Sequence, residues 1–304
     1  MKTTLHTRRD FLKTGSAALA LAALGPNFLA AGESASTDLA HKKGIMWGTV
    51  GMKGTTLEKM KAIKAAGFDG TEMMSHMDQD EVLRARDEAG LVIPSVCGKY
   101  HWSKPLSDPD PKVREEGLEG LKQCLRDAKR YGAGSVLLVA GKVTKGTTYD
   151  ECWTRSIAEI HKAIPLAEEL EVRISVENVW NDFITRQDEA LRYLEEINSP
   201  WVGWHFDCGN VIRYGDPIEW IKTLGRHINR VHIKEYSLDR AMRSGNVWQG
   251  FDVPLLEGAN NWKGIMQAFR EVGFSNFLIT EQPGGSSPEG LKDLCARLGK
   301  IIAS

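Results

Sequence analysis

The sequence predicts a single (β/α)8 barrel of the α/β class, and three observations carry the prediction. Eight short apolar runs recur along the chain, stretches of helical periodicity separate them, and the first run lacks a phosphate turn. Apolar runs of this kind suit parallel strands buried on both faces. The repeated cadence of helix, glycine and apolar run is that of βα units. An open doubly wound sheet usually places GxGxxG after its first strand. Here that position reads Gly48-Thr-Val-Gly51.

The candidate strands, in order, are Gly44 to Val50, Gly70 to Met74, Val92 to Cys97, Ser135 to Ala140, Arg173 to Asn178, Gly203 to Asp207, Arg230 to Lys234 and Phe277 to Glu281. Leu57 to Ala66 reads as a helix that stops at Gly67. Val113 to Tyr131 repeats apolar residues through Leu118, Leu121, Leu125 and Ala128, and stops at Gly132. Trp153 to Leu170, Asp188 to Ile197 and Trp262 to Val272 continue the pattern. Longer connections follow strand three (Gly98 to Lys112) and strand seven (Tyr236 to Asn261). In a barrel such loops cover the active-site mouth.

The N-terminus reads as an address. Thr7-Arg8-Arg9-Asp10-Phe11-Leu12-Lys13 has the form of a twin-arginine export signal, and an apolar run from Ala17 to Ala31 follows it. That run is shorter than the roughly 20 residues a membrane span needs. Residues 1–40 are therefore expected to be signal peptide and linker, with the barrel in 41–304, and the protein is expected to be periplasmic or otherwise extracytoplasmic. Twin-arginine export moves folded proteins, which suits an enzyme that loads a metal before crossing.

Composition excludes some partners. The 304 residues carry a formal net charge of -1, with no basic stripe, so a nucleic-acid backbone is not an expected partner. No stable membrane span is expected, and self-association into a homo-oligomer is left open. Cys97, Cys124, Cys152, Cys208 and Cys295 are scattered without zinc-like spacing and read as small buried apolar residues.

Barrel enzymes place their chemistry at the C-terminal ends of strands. Glu177, Asp207, His232 and Glu281 end strands five to eight, which neighbour one another in a barrel. Three carboxylates and an imidazole suit one hard or borderline divalent ion: Mn2+, Mg2+, Co2+ or Zn2+. The competing reading of any single carboxylate is an ion pair at the rim. Lys234 shares a strand face with His232 and is a candidate for contacting a substrate oxygen or for a salt bridge to Glu72 or Glu281. His205 shares the face of Asp207 one layer deeper, which suits a supporting role. His101 and Trp102 fall in a mouth loop. Trp102 could stack on a sugar face, although nine tryptophans are spread over the chain. Glu72, like Trp47, is a candidate for substrate contact, and Gly284-Gly285-Ser286-Ser287 could cradle a phosphate but has no arginine beside it.

Ser175-Val-Glu177-Asn178, Phe206-Asp207-Cys-Gly-Asn210, Val231-His232-Ile-Lys234-Glu235 and Ile279-Thr-Glu281 resemble the motifs of the xylose-isomerase-like TIM barrels. That superfamily includes sugar isomerases, sugar 3-epimerases, lyases and dehydratases. Phe68-Asp-Gly-Thr-Glu72, Leu256-Glu-Gly258 and Trp262 extend the resemblance over nearly all of residues 41–304. The resemblance implies that Glu177, Asp207, His232 and Glu281 hold a metal, and that Glu177 and Glu281 also serve as the acid–base pair. It further implies proton transfer next to a carbonyl through an enediolate. Some keto-sugar 3-epimerases of the superfamily carry a histidine shortly after the strand-six aspartate. Asn210, a candidate substrate contact, stands there instead, and the Asp-x-Gly-Asn form is closer to the pentulose-phosphate 3-epimerase branch.

Phosphorylated sugars are mainly cytoplasmic, so an exported enzyme is expected to act on an unphosphorylated sugar or keto-sugar. The leading expectation is a sugar isomerase or epimerase. A 3-keto-glycoside lyase or hydratase needs the same ligands and the same base. A sugar-binding protein without catalysis is the alternative from another class, and the complete ligand set speaks against it. A phosphodiesterase or DNA-repair nuclease of the same superfamily is set aside, because it would need more ligands and a basic face.

Overall fold

The computed structural model describes residues 41–304. Eight parallel strands close into a barrel in sequence order, with β1 paired to β8. They are β1 Lys42–Met46, β2 Gly70–Met74, β3 Val96–Cys97, β4 Ser135–Leu138, β5 Arg173–Glu177, β6 Val202–Asp207, β7 Ile228–Ile233 and β8 Phe277–Thr280. The helices around them are α1 Thr56–Ala65, α2 Gln79–Ala89, α3 Pro111–Tyr131, α4 Tyr149–Leu170, α5 Gln187–Ile197, α6 Cys208–Val211, α7 Pro217–Leu224, α8 Leu238–Ser244, α9 Trp262–Glu271 and α10 Pro288–Ile302. Among the described residues no helix is long and apolar enough to cross a membrane. The twin-arginine pattern lies outside the described residues.

Local chemistry explains where the elements begin and end. Thr55 and Thr148 form capping boxes with Glu58 and Glu151, which start α1 and α4. Asp110 caps α3, and Pro111 takes its first helical position, where a missing N–H costs nothing. Gly132 ends α3 at a φ of 76°, a left-handed conformation that glycine adopts without strain.

Three strands are shorter than their apolar runs, each for a visible reason. β1 ends at Met46 because Trp47–Thr49 curls into a 3-10 turn in which Thr49 Oγ1 donates to the Met46 carbonyl at 2.8 Å. The run Val92 to Cys97 is broken at Pro94, which has no N–H for the ladder. Val92 makes only an isolated bridge to Gly70, and pairing resumes at Val96. β4 stops at Leu138, and the next N–H, that of Val139, is taken by His101 Nδ1 at 3.2 Å. Helices α2, α6, α7, α8 and α10 fall outside the helical stretches named from the sequence.

The core has two layers. Trp204 and Phe206 of β6 point outward to Trp220 of α7, with ring centroids 6.2 and 6.3 Å apart, and Phe206 also meets Phe269 of α9. The period-two alternation of a strand then turns His205 and Asp207 inward, to the barrel axis. Burying the large rings between strands and helices supplies much of the apolar stabilisation, at roughly 25 cal/mol per Å². All five cysteines are free and buried, as expected of small apolar residues.

Candidate metal centre

Strand register brings the predicted ligands together. Glu177 on β5 lies opposite His205 on β6, and Asp207 lies opposite His232 on β7. Glu281 follows the end of β8, where its N–H still donates to Ile233 at 3.1 Å. One donor atom from each of Glu177, Asp207, His232 and Glu281 lies within 4.8 Å of every other. His232 Nδ1 is 2.9 Å from Glu177 Oε1, 3.5 Å from Glu281 Oε2 and 4.0 Å from Asp207 Oδ2.

This donor set fits a divalent ion. Asp207 Oδ2 is buried with no hydrogen-bond partner, and an unpaired buried carboxylate oxygen is costly unless a cation meets it. Oxygen-rich coordination with one imidazole suits the hard or borderline divalent ions.

The protonation pattern agrees with that fit. Burial pushes the Glu177 carboxyl up to about 7 and that of Asp207 up to about 6. Burial also opposes ionisation of Glu281, but Lys234 and His232 outweigh it and hold that carboxyl at about 2. His232 resists burial in the opposite sense: Glu72, Glu281 and Glu177 keep it protonated well above its ordinary range. Each of its ring nitrogens faces a carboxylate, and a metal ion would replace the proton on Nδ1.

Below the cluster, Glu72 differs from its expected place. It does not line the cavity. It is fully buried, its Oε2 sits 2.8 Å from His232 Nε2, and Ser95 Oγ donates to its Oε1 at 2.5 Å. A strand-two carboxylate facing inward sits one layer below the strand ends, so it holds the His232 ring rather than lining the mouth. This is the usual carboxylate–histidine support of a metal site. His205 lies beside it, with ring centroids 4.2 Å from His232 and both ring nitrogens unpartnered, and burial pushes its pKa down to about 3. It is a neutral ring packed against His232.

The other candidates separate. Lys234 Nζ is 2.7 Å from Glu281 and 3.8 Å from Asp207, so of the two expected pairings the one with Glu281 is formed. Lys234, Glu177, Glu281, Asn210 and Trp102 all line a cavity of about 340 Å³ above the cluster. His101 does not wall it. Its Nδ1 is held on the Val139 N–H, and burial pushes its pKa down to about 4, so the ring closes the end of β4 behind the wall. Asn210 Nδ2 donates to the Asn178 carbonyl at 3.0 Å, and the Asn210 N–H donates to Asp207 Oδ1 at 2.8 Å. The Gly284–Ser287 loop packs against the 3-10 turn after β1, where a Cβ on Gly285 would meet the Thr49 carbonyl at 3.0 Å. It does not face the cavity.

Sequence reasoning missed several contributors. Asn178 ties β5 to β6: its Nδ2 donates to the Asp207 carbonyl at 2.8 Å, and its Oδ1 accepts from the Asp207 N–H at 3.0 Å. Its position next to Glu177 at a strand end was the available signal. Val179, Trp180, Trp248, Phe251 and Pro283 complete the cavity walls. Only their presence in loops at strand ends could have marked them.

The profile of the family described as "Xylose isomerase-like TIM barrel" matches residues 60–301. The L-ribulose-5-phosphate 3-epimerase of Salmonella paratyphi A is 24% identical over 239 residues, which is 74% of this chain and 81% of that protein. A D-psicose 3-epimerase crystallised with D-fructose superposes with a TM-score of 0.69 at 14% identity, covering 86% of this chain and 100% of its own. The apo form of a 3-keto-D-glucoside 4-epimerase from E. coli superposes with a TM-score of 0.71 at 17% identity, covering 87% of this chain and 100% of its own. At such identities the structural likeness is one of fold.

Proposed function

This chain belongs to the xylose isomerase-like TIM-barrel family, and from that premise we propose that it is a metal-dependent sugar isomerase or epimerase. One observation carries the reading: Glu177, Asp207, His232 and Glu281 converge beneath a cavity to which both glutamates are open. The epimerase relatives agree with it.

Bound by these four residues, Mn2+, Mg2+, Co2+ or Zn2+ supplies Lewis-acid polarisation that makes the C–H beside a carbonyl acidic. The chain's own residues do the rest. Glu177, the last residue of β5, and Glu281, just after β8, lie three strands apart around the ring and both line the cavity. One takes the proton, and the other returns one at the neighbouring carbon or on the opposite face. Lys234, paired with Glu281, stands ready to donate to a substrate oxygen as negative charge develops. The loops after β3 and β7 bring Trp102, Trp248 and Phe251 to the cavity wall, which narrows the approach of bulk water to the carbanion.

The same reading favours an unphosphorylated sugar or keto-sugar. Lys234 is the one cation among the described residues that wall the cavity, and Glu281 already engages it. No arginine lines the cavity to meet a phosphate group, and Arg213 lies behind this lining on the Trp180 ring, 4.8 Å from its centroid. The twin-arginine pattern at Arg8 and Arg9 supports the further proposal that the protein is exported after folding.

Proton NMR in D2O tests the function. Protein supplied with Mn2+ is incubated with free aldoses, ketoses and keto-glycosides, and the metal is stripped before each spectrum. Metal-dependent deuterium uptake with a new isomer is expected. Release of an aglycone without isomer would assign the lyase reading, and no exchange from any substrate would sink both.

A further inference from the structure

A second cavity, of about 450 Å³, opens at the N-terminal end of the barrel, opposite the ligand cluster. Three arginines border it. Arg173 begins β5, Arg230 stands near the start of β7, and Arg226 lies in the 3-10 turn Gly225–His227 that leads into β7. Gly134 and Ser135 at the start of β4, and the turn 272–276 before β8, also wall it.

Positive charge is uncompensated here. None of the bordering residues is acidic, and among the described residues none of these three arginines forms an ion pair, whereas Arg155, Arg243 and Arg297 each do. Arg230 bonds the neutral carbonyls of Pro94 and Asn229, and Arg173 Nη1 bonds the neutral Asn229 side chain. Such bonds satisfy N–H donors but leave the charge in place. Burial pushes the Arg230 pKa down to about 10, Glu72 in the barrel core opposes that, and Arg173 adds to it. Ser135 is an independent indication of a ligand. It is 1% exposed on the cavity wall, and its Oγ is buried with no hydrogen-bond partner. A buried hydroxyl left unpaired is costly. A Cβ added to Gly134 would lie 3.3 Å from Arg230 Nη2, so that guanidinium comes up against the start of β4, beside the hydroxyl.

We propose that this cavity binds a small oxyanion carrying two or more negative charges, a phosphate group or a polycarboxylate. Guanidinium forks match the paired oxygens of either group. Arg173 gives a single N–H to Asn229, which leaves most of its fork for the ligand. The Ser135 hydroxyl donates to the same oxyanion. An anion held there ties the start of β5 to that of β7. It binds only the folded chain and therefore stabilises it. The site is remote from Glu177 and Glu281 and takes no part in proton transfer, so its test needs no turnover.

Calorimetric titration of the full chain with inorganic phosphate and with citrate, at an ionic strength held constant with NaCl, tests the site. At least one of the two is expected to bind with one-to-one stoichiometry and to raise the urea midpoint saturably, and acetate is expected to do neither. The tighter of the two anions identifies the ligand chemistry. Arg173→Met and Arg226→Gln stand at exposed positions, and unchanged circular dichroism checks that they fold. Each should weaken binding at least about tenfold, the usual effect of losing one charge-assisted hydrogen bond. Arg240→Gln, on the exposed face of α8 and outside the cavity walls, should bind as the wild type does. Titrations with and without Mg2+ separate this site from an anion held on a metal at the other barrel end, which would require Mg2+ and survive Arg226→Gln. That outcome overturns the proposal. So does an equal response to acetate, binding unchanged in either arginine variant of the cavity, or no binding of phosphate or citrate.

Discussion

Both ends of the barrel hold a cavity, and the larger is not the one with the chemistry. At the N-terminal end a space of about 450 Å³ is bordered by Arg173, Arg226 and Arg230. At the C-terminal end the space over the ligand cluster is about 340 Å³. The difference lies in bonding capacity. Arg230 spends its donors on backbone: Nε and Nη2 reach the Pro94 carbonyl at 3.1 and 2.8 Å, and Nη1 reaches that of Asn229 at 2.7 Å. Arg173 Nη1 meets Asn229 Oδ1 at 3.3 Å. The C-terminal end instead gathers three carboxylates and leaves Asp207 Oδ2 without a partner. Arg173 and Arg230, bonded to neutral neighbouring groups, line the bottom of the barrel, and carboxylates held together make a candidate metal site at its top.

The sharpest way to break this contrast is at the glutamates. Glu177→Gln and Glu281→Gln should each lower turnover by about 10² to 10⁴-fold, the usual worth of a general acid or base, measured on protein of unchanged circular dichroism. Retained turnover in either variant removes the two-glutamate pair from the mechanism.

The next effect is on pH. A protonated carboxylate cannot ligate, so metal binding must displace the protons that burial keeps on Glu177, up to about 7, and Asp207, up to about 6. Metal affinity measured by calorimetry should fall as pH drops from 7 to 5, by about tenfold per unit for each proton displaced. The metal-free protein should behave in the reverse sense. Groups whose folded pKa is raised stabilise the fold at low pH, so the contribution of Glu177 to urea stability should decline as pH rises from the ordinary carboxylate value of 4.5 towards 7. His232, also raised, adds to that decline above its ordinary 6.5. Glu281 is depressed and acts only lower, with its contribution lost as pH falls from 4.5 towards about 2. His205 and His101, pushed down to about 3 and 4, act in the opposite sense up to their ordinary 6.5. The decline is therefore read as the loss of stability of the wild type relative to Glu177→Gln between pH 5 and 7, and no such difference would contradict this assignment.

Glu72→Gln probes the layer between the two ends. Its carboxylate fixes the His232 ring from below, and loss of such a support typically costs 10 to 100-fold in metal affinity. Calorimetric titration with Mn2+ reads this without any need for turnover, and unchanged affinity would reduce Glu72 to a packing residue.

The smallest effect on turnover is expected at the bottom. Arg230→Met leaves the Pro94 carbonyl unpaired and should lower unfolding stability by about 2 kcal/mol, with turnover per folded molecule within twofold. A loss of turnover comparable to that of the glutamate variants would show that the two ends are coupled.

Much of the molecule was legible in advance because barrels repeat. Parallel strands buried on both faces are written as apolar runs, and the charged residue that ends each run stands out against them. Glu177, Asp207, His232 and Glu281 could be named on that ground. The limits of β3 and β4 were less legible. Pro94 signalled an interruption that the apolar composition masked, and the loss of the Val139 N–H to His101 depends on a loop folding back. Glu72 was visible as a charge in an apolar strand. Its depth was not, because depth follows from the stagger of strands around the closed ring.

The sequence by itself determined the barrel, its strand order and the four residues at the ends of β5 to β8, because period-two burial and strand-end charges are local patterns. Tertiary structure alone decided that Glu72 supports His232, that His101 stands behind the wall, and that Phe251, Trp180 and Trp248 line one cavity with Glu177 and Glu281. Those relations join residues far apart in the chain, and only the packing of loops over the closed barrel sets the distances between them.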